Sequence, residues 1–337
     1  MTAIEKIDLA EADNALSEGH EPPGPPERKK NDDLWSRMKA HRWHYLFVAP
    51  MVITLLLFTL WPIVASWGYG FFDWNGFGPL EDWVGLDNFI EAATDPAYWN
   101  SFGNTFWFAF ASVFIQAPLA LLFALVLNNP KLFGRNVYRV LIFIPVVSTT
   151  AVVGLVFAVL LDTNRGPINV ALEAIGLDPV NFLGSSSTAL ATVIAVETWR
   201  GLGITMIYWL AALQTIPVEL YDAAKIDGAG RFASFRSITI PLLMPFAIII
   251  LLLTFITSFN AFDIVQTMTA GGPNGATDIV ATYIYRYAFS PEQFIPRFGY
   301  ASAAALLFGV VIMALSLVQL IIVRRVRRRA AGLEGSK

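Results

Sequence analysis

Long apolar runs alternate with short polar blocks along most of this chain. No Asp, Glu, Lys or Arg occurs from His44 to Phe72, from Pro96 to Pro130, from Val140 to Leu161, from Ser237 to Phe262, or from Phe298 to Val323. About 20 apolar residues suffice for a helical span, so each stretch predicts one. A sixth is expected between about Thr188 and Leu213, interrupted by Glu197 and Arg200. In lipid every backbone N–H and C=O needs a partner inside its own segment, which makes these runs helices. The alternation of a membrane barrel is missing. The expected fold class is all-α, a polytopic membrane protein with six transmembrane helices.

Composition agrees with this pattern. Of 337 residues, 55% are hydrophobic and 15% charged, and the mean hydropathy is +0.56. A water-facing surface takes closer to a quarter charged residues. The net charge of −3 says little as a total, because its sign changes from segment to segment. With no cysteine, disulfides and thiolate metal sites are excluded. The start is acidic and contains EPPGPPERKKNDD, unlike a secretory signal. Residues 1–44 are expected to be a disordered tail, 45–323 the transmembrane domain and 324–337 a basic tail.

The basic residues set an orientation. With both termini cytoplasmic, the inner loops and tails hold 19 of the 23 Lys and Arg residues. The outer loops keep Arg165, Arg286 and Arg297, and Arg200 lies within a span. The first outer loop carries Asp73, Glu81, Asp82, Asp87, Glu91 and Asp95 with no Lys or Arg. This satisfies the positive-inside rule. The aromatic-rich WGYGFFDWNGFGPLEDW in that loop reads either as an interfacial belt or as a docking surface for an extracytoplasmic partner.

The cytoplasmic segment from Thr215 to Ile240 is longer than a simple connector. After Pro217, VELYDAAKI favours a helix, Gly228 and Gly230 allow a tight reversal, and RFASFRSI favours a second short helix before Pro241. An amphipathic helix on lipid headgroups and a docking site for a protein both fit these residues.

A resemblance separates the two readings. Asp222-Ala223-Ala224, three residues, Gly228, nine residues and Ile238-Thr239-Ile240-Pro241 keep the spacing of the E-A-A…G…I-x-L-P signature. That signature marks the membrane subunits of binding-protein-dependent ABC importers. Asp replaces Glu at the first position and Ile replaces Leu near the end. AALQTIPVELYDAAKIDGA, FDIVQTMTAGGPNGATDIVATYIYRYAF and VGLDNF extend the likeness to the sugar-type permeases of the maltose and glycerol-3-phosphate class, over roughly 45–323.

The resemblance implies a cytoplasmic coupling helix seated in an ATPase cleft. Asp222, Ala223, Ala224, Asp227, Gly228 and Arg231 are the ATPase-coupling candidates. The implied partners are a second homologous permease, two ATPase subunits, an extracytoplasmic solute-binding protein and a sugar, in the inner membrane of a prokaryote. The surrounding lipid bilayer completes the environment, and no nucleic acid is expected.

The sequence lacks the G-x-x-x-x-G-K-[ST] phosphate loop. No cofactor is therefore expected in this chain, with ATP and Mg held by the partner ATPases. H-E-x-x-H and G-x-S-x-G are also missing, and His20, His41 and His44 lie outside or at the edge of the spans, so no enzyme site is visible. Glu197 and Arg200, three apart on one helix face, either neutralise one another or face a cavity. Tyr208, Phe259, Asn260, Asp263 and Gln266 add hydrogen-bonding groups and aromatic faces suited to a sugar. The alternatives are import of a sugar phosphate such as glycerol-3-phosphate, an ion-coupled secondary transporter, or a membrane-embedded enzyme.

Overall fold

The structure is a computed structural model that describes residues 42–289 and 295–334. The expected disordered tail lies, up to residue 41, outside the described residues. The chain divides into two units, Met1–Ile63 and Val64–Lys337. The described part of the first unit is helical. It contains α1 (Arg42–Leu55) and a wide π-turn over Leu56–Leu60. The following helix α2 (Trp61–Tyr69) ends in the second unit.

The described residues of the second unit form helices and turns, with one isolated bridge between Phe72 and Trp83. Helix α3 (Asp87–Thr94) precedes α4 (Pro96–Ala111). The Asp95 carboxylate accepts the Ala97 N–H at 2.8 Å, and Pro96 stands where no N–H is needed, so the helix start is closed. A π-turn over Ser112–Gln116 joins α4 to α5 (Ala117–Leu127). Next come α6 (Arg135–Val147), α7 (Thr150–Leu160), α8 (Pro167–Ala174) and α9 (Ala189–Leu213). The chain continues through α10 (Val218–Ile226), α11 (Arg231–Ser234), a π-turn over Phe235–Thr239 and α12 (Ile240–Ser258). It ends with α13 (Phe262–Met268), α14 (Val280–Phe289) and α15 (Phe298–Glu334).

The three π-turns share a cause that can be read from the chain. Each ends two residues before a proline, at Pro62, Pro118 and Pro241. Proline has no N–H for the carbonyl four residues earlier and its ring presses on that carbonyl. A wider turn relieves the clash without ending the helix.

Among the described residues, five helices are long and apolar enough to cross a membrane: Trp43–Tyr69, Pro96–Leu127, Ala189–Leu213, Arg231–Ser258 and Phe298–Ile321. The span expected over Val140–Leu161 differs, because α6 and α7 meet at 97°. Ser148 and Thr149 are extended there, with ψ of 142° and 137°. The expected second short helix of the cytoplasmic segment is not separate, since α11 runs through its π-turn into α12. The fifth span stops at Ser258, four residues before the expected Phe262. The backbone of α15 continues as helix past residue 323 to Glu334.

Three apolar clusters hold the second unit. Ala120, Ala124, Met206, Leu210 and Leu243 join α5, α9 and α12. Small alanines on α5 let α9 come close, and Trp209 Nε1 donates to the Ala117 carbonyl at 3.0 Å. Phe108, Val153, Val193, Ile264 and Val265 join α4, α7, α9 and α13. Ala92, Tyr98, Tyr283, Tyr300 and Ala304 join α3, α4, α14 and α15.

Candidate functional site

Three of the breaks in the spans meet at one place. A cavity of about 230 Å3 is lined by Ser112 and Gln116 at the two ends of a π-turn, by Val146 just before the bend, and by Thr257 and Ser258 at the end of α12. Glu197, Arg200, Thr205 and Tyr208 of α9 line it as well. Irregular backbone at membrane depth is tolerated where it borders a cavity or is buried in protein. Broken helices around a polar midplane site are the architecture of transport.

Glu197 and Arg200 do both things the sequence allowed. Arg200 Nε and Nη2 donate to the two Glu197 carboxylate oxygens at 2.8 and 2.5 Å. The pair also lines the cavity, with side chains 14% and 22% exposed respectively. Gln116 Nε2 donates to Thr205 Oγ1 at 2.9 Å. This needs Gly201, because a Cβ there would sit 2.5 Å from Gln116 Nε2. Thr254, Thr257 and Ser258 donate to carbonyls of their own helix, at 2.7, 3.0 and 2.6 Å. Each hydroxyl oxygen keeps acceptor capacity for a donor in the cavity.

Four of the expected path residues stand apart from this cavity lining. Phe259 packs against Phe106 and Phe255, with ring centroids 5.7 and 5.0 Å apart. Asn260 and Asp263 are exposed and Gln266 is half-buried, all beyond the break after Ser258. Sequence reading missed Ser112, Gln116, Thr205, Thr254, Thr257 and Ser258. Their signal was present but faint: uncharged polar residues within the apolar runs of the spans.

The polar segment between α9 and α12 is built differently. Pro217 is extended before α10, and Gly228 closes it at φ +78°. The Ala229 N–H donates to the Ala224 carbonyl at 2.8 Å and the Gly228 N–H to Lys225 at 3.1 Å. This is a Schellman closure, and it requires the left-handed residue that glycine supplies. Tyr221 and Thr239 hydroxyls share a bond of 2.9 Å, tying α10 to the π-turn. Asp222 pairs with Lys225 at 2.7 Å on the surface. Ala223, Asp227, Gly228 and Arg231 are exposed, whereas Ala224 is half-buried. No residue of α10 or α11 is buried, and Ile226 and Phe232 are 88% and 76% exposed. Those two apolar side chains were not among the expected contacts.

The end of the molecule that holds α3 and α14 is a cross-linked cap. Arg297 binds both Glu91 carboxylate oxygens at 2.6 Å and lies 4.5 Å over the Tyr300 ring. The bonds from Arg297 hold the Glu91 carboxyl below its ordinary range. Tyr283 donates to Asp95, and its hydroxyl also meets that of Tyr300 at 2.5 Å. Asp278 pairs with Arg286 and accepts from Thr282 at 2.6 Å. Burial pushes the Asp278 carboxyl up, while those bonds pull it back. Asn104 donates to the carbonyls of Ala276 and Asp278 at 3.0 and 2.9 Å, fastening the GGPNGATD loop to α4. Beside the cap, Asp73, Glu81 and Asp82 rim a hollow of about 420 Å3 with Phe77 exposed.

Residues 116–328 match the family model described as "Binding-protein-dependent transport system inner membrane component". The chain is 34% identical over 280 residues to "Probable ABC transporter permease protein YurN" of Bacillus subtilis (strain 168), covering 82% of this chain and 94% of that one. It is 32% identical over 292 residues to "Trehalose/maltose transport system permease protein MalF" of Thermococcus litoralis, covering 86% and 97%. A crystal structure of a bacterial ABC transporter "involved in the import of the acidic polysaccharide alginate" superposes with a TM-score of 0.74 at 25% identity, over 87% of this chain and 98% of that one.

Proposed function

We propose, from the premise that this chain belongs to the family of binding-protein-dependent transport system inner membrane components, that it is a permease subunit for the ATP-driven import of a sugar. It is an all-α, multi-pass protein of the inner membrane. Relatives named for trehalose/maltose, lactose and diacetylchitobiose support the substrate class. The observation that carries the transport path is the convergence of a π-turn, a bend and a helix end on one polar cavity. Carbonyl-tethered hydroxyls, the Gln116 amide and the Tyr208 phenol there offer donors and acceptors for sugar hydroxyls. The Arg200 guanidinium is already neutralised by Glu197, which argues against a sugar phosphate.

On this reading the cavity is this chain's half of a path completed by a second, homologous permease. Both termini are cytoplasmic on this reading, which the distribution of Lys and Arg supports. Two ATPase subunits bind ATP and Mg and receive α10, with Asp222, Ala223, Asp227 and Gly228 at the contact, Arg231 at its margin where α11 begins, and Ile226 and Phe232 as its apolar anchors. Ala224 packs inward and supports the helix. Closure of the ATPases moves α10, and its bond from Tyr221 to Thr239 passes that motion to α12. The acidic hollow at Asp73, Glu81 and Asp82 is the docking place for an extracytoplasmic solute-binding protein.

The test is reconstitution of the permease pair, ATPases and binding protein in proteoliposomes, with labelled maltose, trehalose and lactose supplied in turn. ATP-dependent uptake of one of them is expected. Ile226→Asp should lower ATPase association by roughly tenfold, the effect of losing one buried anchor. Uptake that persists without ATPase subunits would sink the reading in favour of an ion-coupled carrier.

A further inference from the structure

A second cavity, of about 540 Å3, lies where the ends of α5 and α9 meet α10 and α11. Its walls divide by chemistry. Leu125, Leu213 and Phe235 form an apolar floor, while Lys225, Arg231 and Ser234 stand on the rim with the Asn129 amide. No Asp or Glu lines it among the described residues. Lys225 is held at 2.7 Å by Asp222, which lies outside the lining. The Arg231 side chain makes no hydrogen bond or ion pair with any described residue. The one pair of hydroxyls in the wall, Tyr221 and Thr239, is already self-satisfied.

An apolar floor beneath a cationic rim at the end of two spans matches what the headgroup level of a bilayer offers. Anionic phospholipids of the cytoplasmic leaflet occupy basic pockets between transmembrane helices at that depth. We propose that this cavity binds the phosphate of an anionic phospholipid, with Arg231 and Lys225 on the phosphate oxygens and the glycerol and upper acyl carbons on Leu125, Leu213 and Phe235. Charge complementarity and the apolar floor select this occupant, since a free phosphate has no use for the floor. The bound lipid joins the α5 end to α10 and α11, so it stiffens the segment through which coupling is proposed to pass. The cytoplasmic placement rests on the orientation proposed above; lipid binding itself does not depend on the substrate.

The test is native mass spectrometry of the full chain released from nanodiscs of phosphatidylglycerol mixed equally with phosphatidylcholine. Wild type should retain phosphatidylglycerol about fivefold over phosphatidylcholine, in keeping with two basic contacts of which one is shared with Asp222. K225Q/R231Q should bring that preference to parity. Ser234→Trp, which fills the cavity and removes no charge, should do the same. R236Q, on the same helix and outside the lining, should keep the wild-type preference. Equal retention by wild type and K225Q/R231Q would overturn the proposal. So would loss of the lipid preference on adding inorganic phosphate, because that would make the site one for a free anion. A failed importer reading leaves these retention ratios unchanged, so the two failures are distinguishable.

Discussion

Between Asp87 and Asp95, and again between Gly271 and Tyr300, polar side chains find partners far along the chain: Glu91 with Arg297, Asp95 with Tyr283, Asn104 with the carbonyl of Asp278. From Val218 to Ser234 the charged groups reach only their near neighbours or water, and Ile226 and Phe232 stand in the open. Both regions lie at or beyond the ends of the spans and both are polar. The cap has satisfied its polar groups internally, whereas the coupling segment leaves apolar surface that water does not favour. A region closed by its own contacts is a scaffold. A region with a helix, a glycine-closed end and exposed apolar side chains fits the proposed contact with another protein.

The difference can be broken at its strongest point first. Asp278→Ala leaves Arg286 without its carboxylate and Thr282 with only the backbone of Ile279, in a site where the Asp278 side chain is 2% exposed. Removing one partner of a buried pair costs on the order of 3 kcal/mol. A clear fall in the unfolding temperature of the solubilised protein is expected, and an unchanged value would show that the cap is not cross-linked as described.

Gly228→Val sharpens the other side of the comparison. The position has φ +78° and open space around a Cβ, so the cost is backbone strain of roughly 1–2 kcal/mol confined to the end of α10. Insertion and thermal stability should be nearly unaffected while ATP-driven uptake falls about tenfold or more. Normal uptake in this variant would remove α10 from the coupling path.

The smallest effect is one of pH. Arg297 holds the Glu91 carboxyl below its ordinary value of 4.5, so the pair stabilises the cap fully above that value and is lost as pH falls through the lower folded one. Both side chains are partly exposed, and solvent screening keeps the contribution small. Wild type should lose stability more steeply below pH 4.5 than Glu91→Gln does. Parallel acid curves for the two proteins would mean that the pair contributes nothing.

Much of this was legible because hydropathy is a property of contiguous residues. The charge-free run Phe298–Val323 could only be a span, and Pro217, VELYDAAKI and Gly228 specify a helix with a start and an end by local propensity alone. Prolines 62, 118 and 241 each follow a π-turn, but Pro50, Pro145 and Pro245 sit in α-helix without one, so proline alone does not mark them. Glu197 and Arg200 pair because three residues on a helix bring them to one face.

Tertiary structure alone decided which uncharged polar groups share the cavity. Gln116 and Thr205 are 89 positions apart, and only the close approach of two helices over Gly201 joins them. The 97° bend between α6 and α7 was equally hidden, because Ser148 and Thr149 are compatible with a helix by themselves. The same holds for the cap, where Glu91 meets Arg297 across 206 positions. Local sequence determined which stretches are apolar enough to span a membrane and where the polar segment between α9 and α12 forms a helix with a closed end. Packing between distant segments determined what the spans enclose, because a polar side chain in a helix has many faces to turn to until its neighbours leave it one.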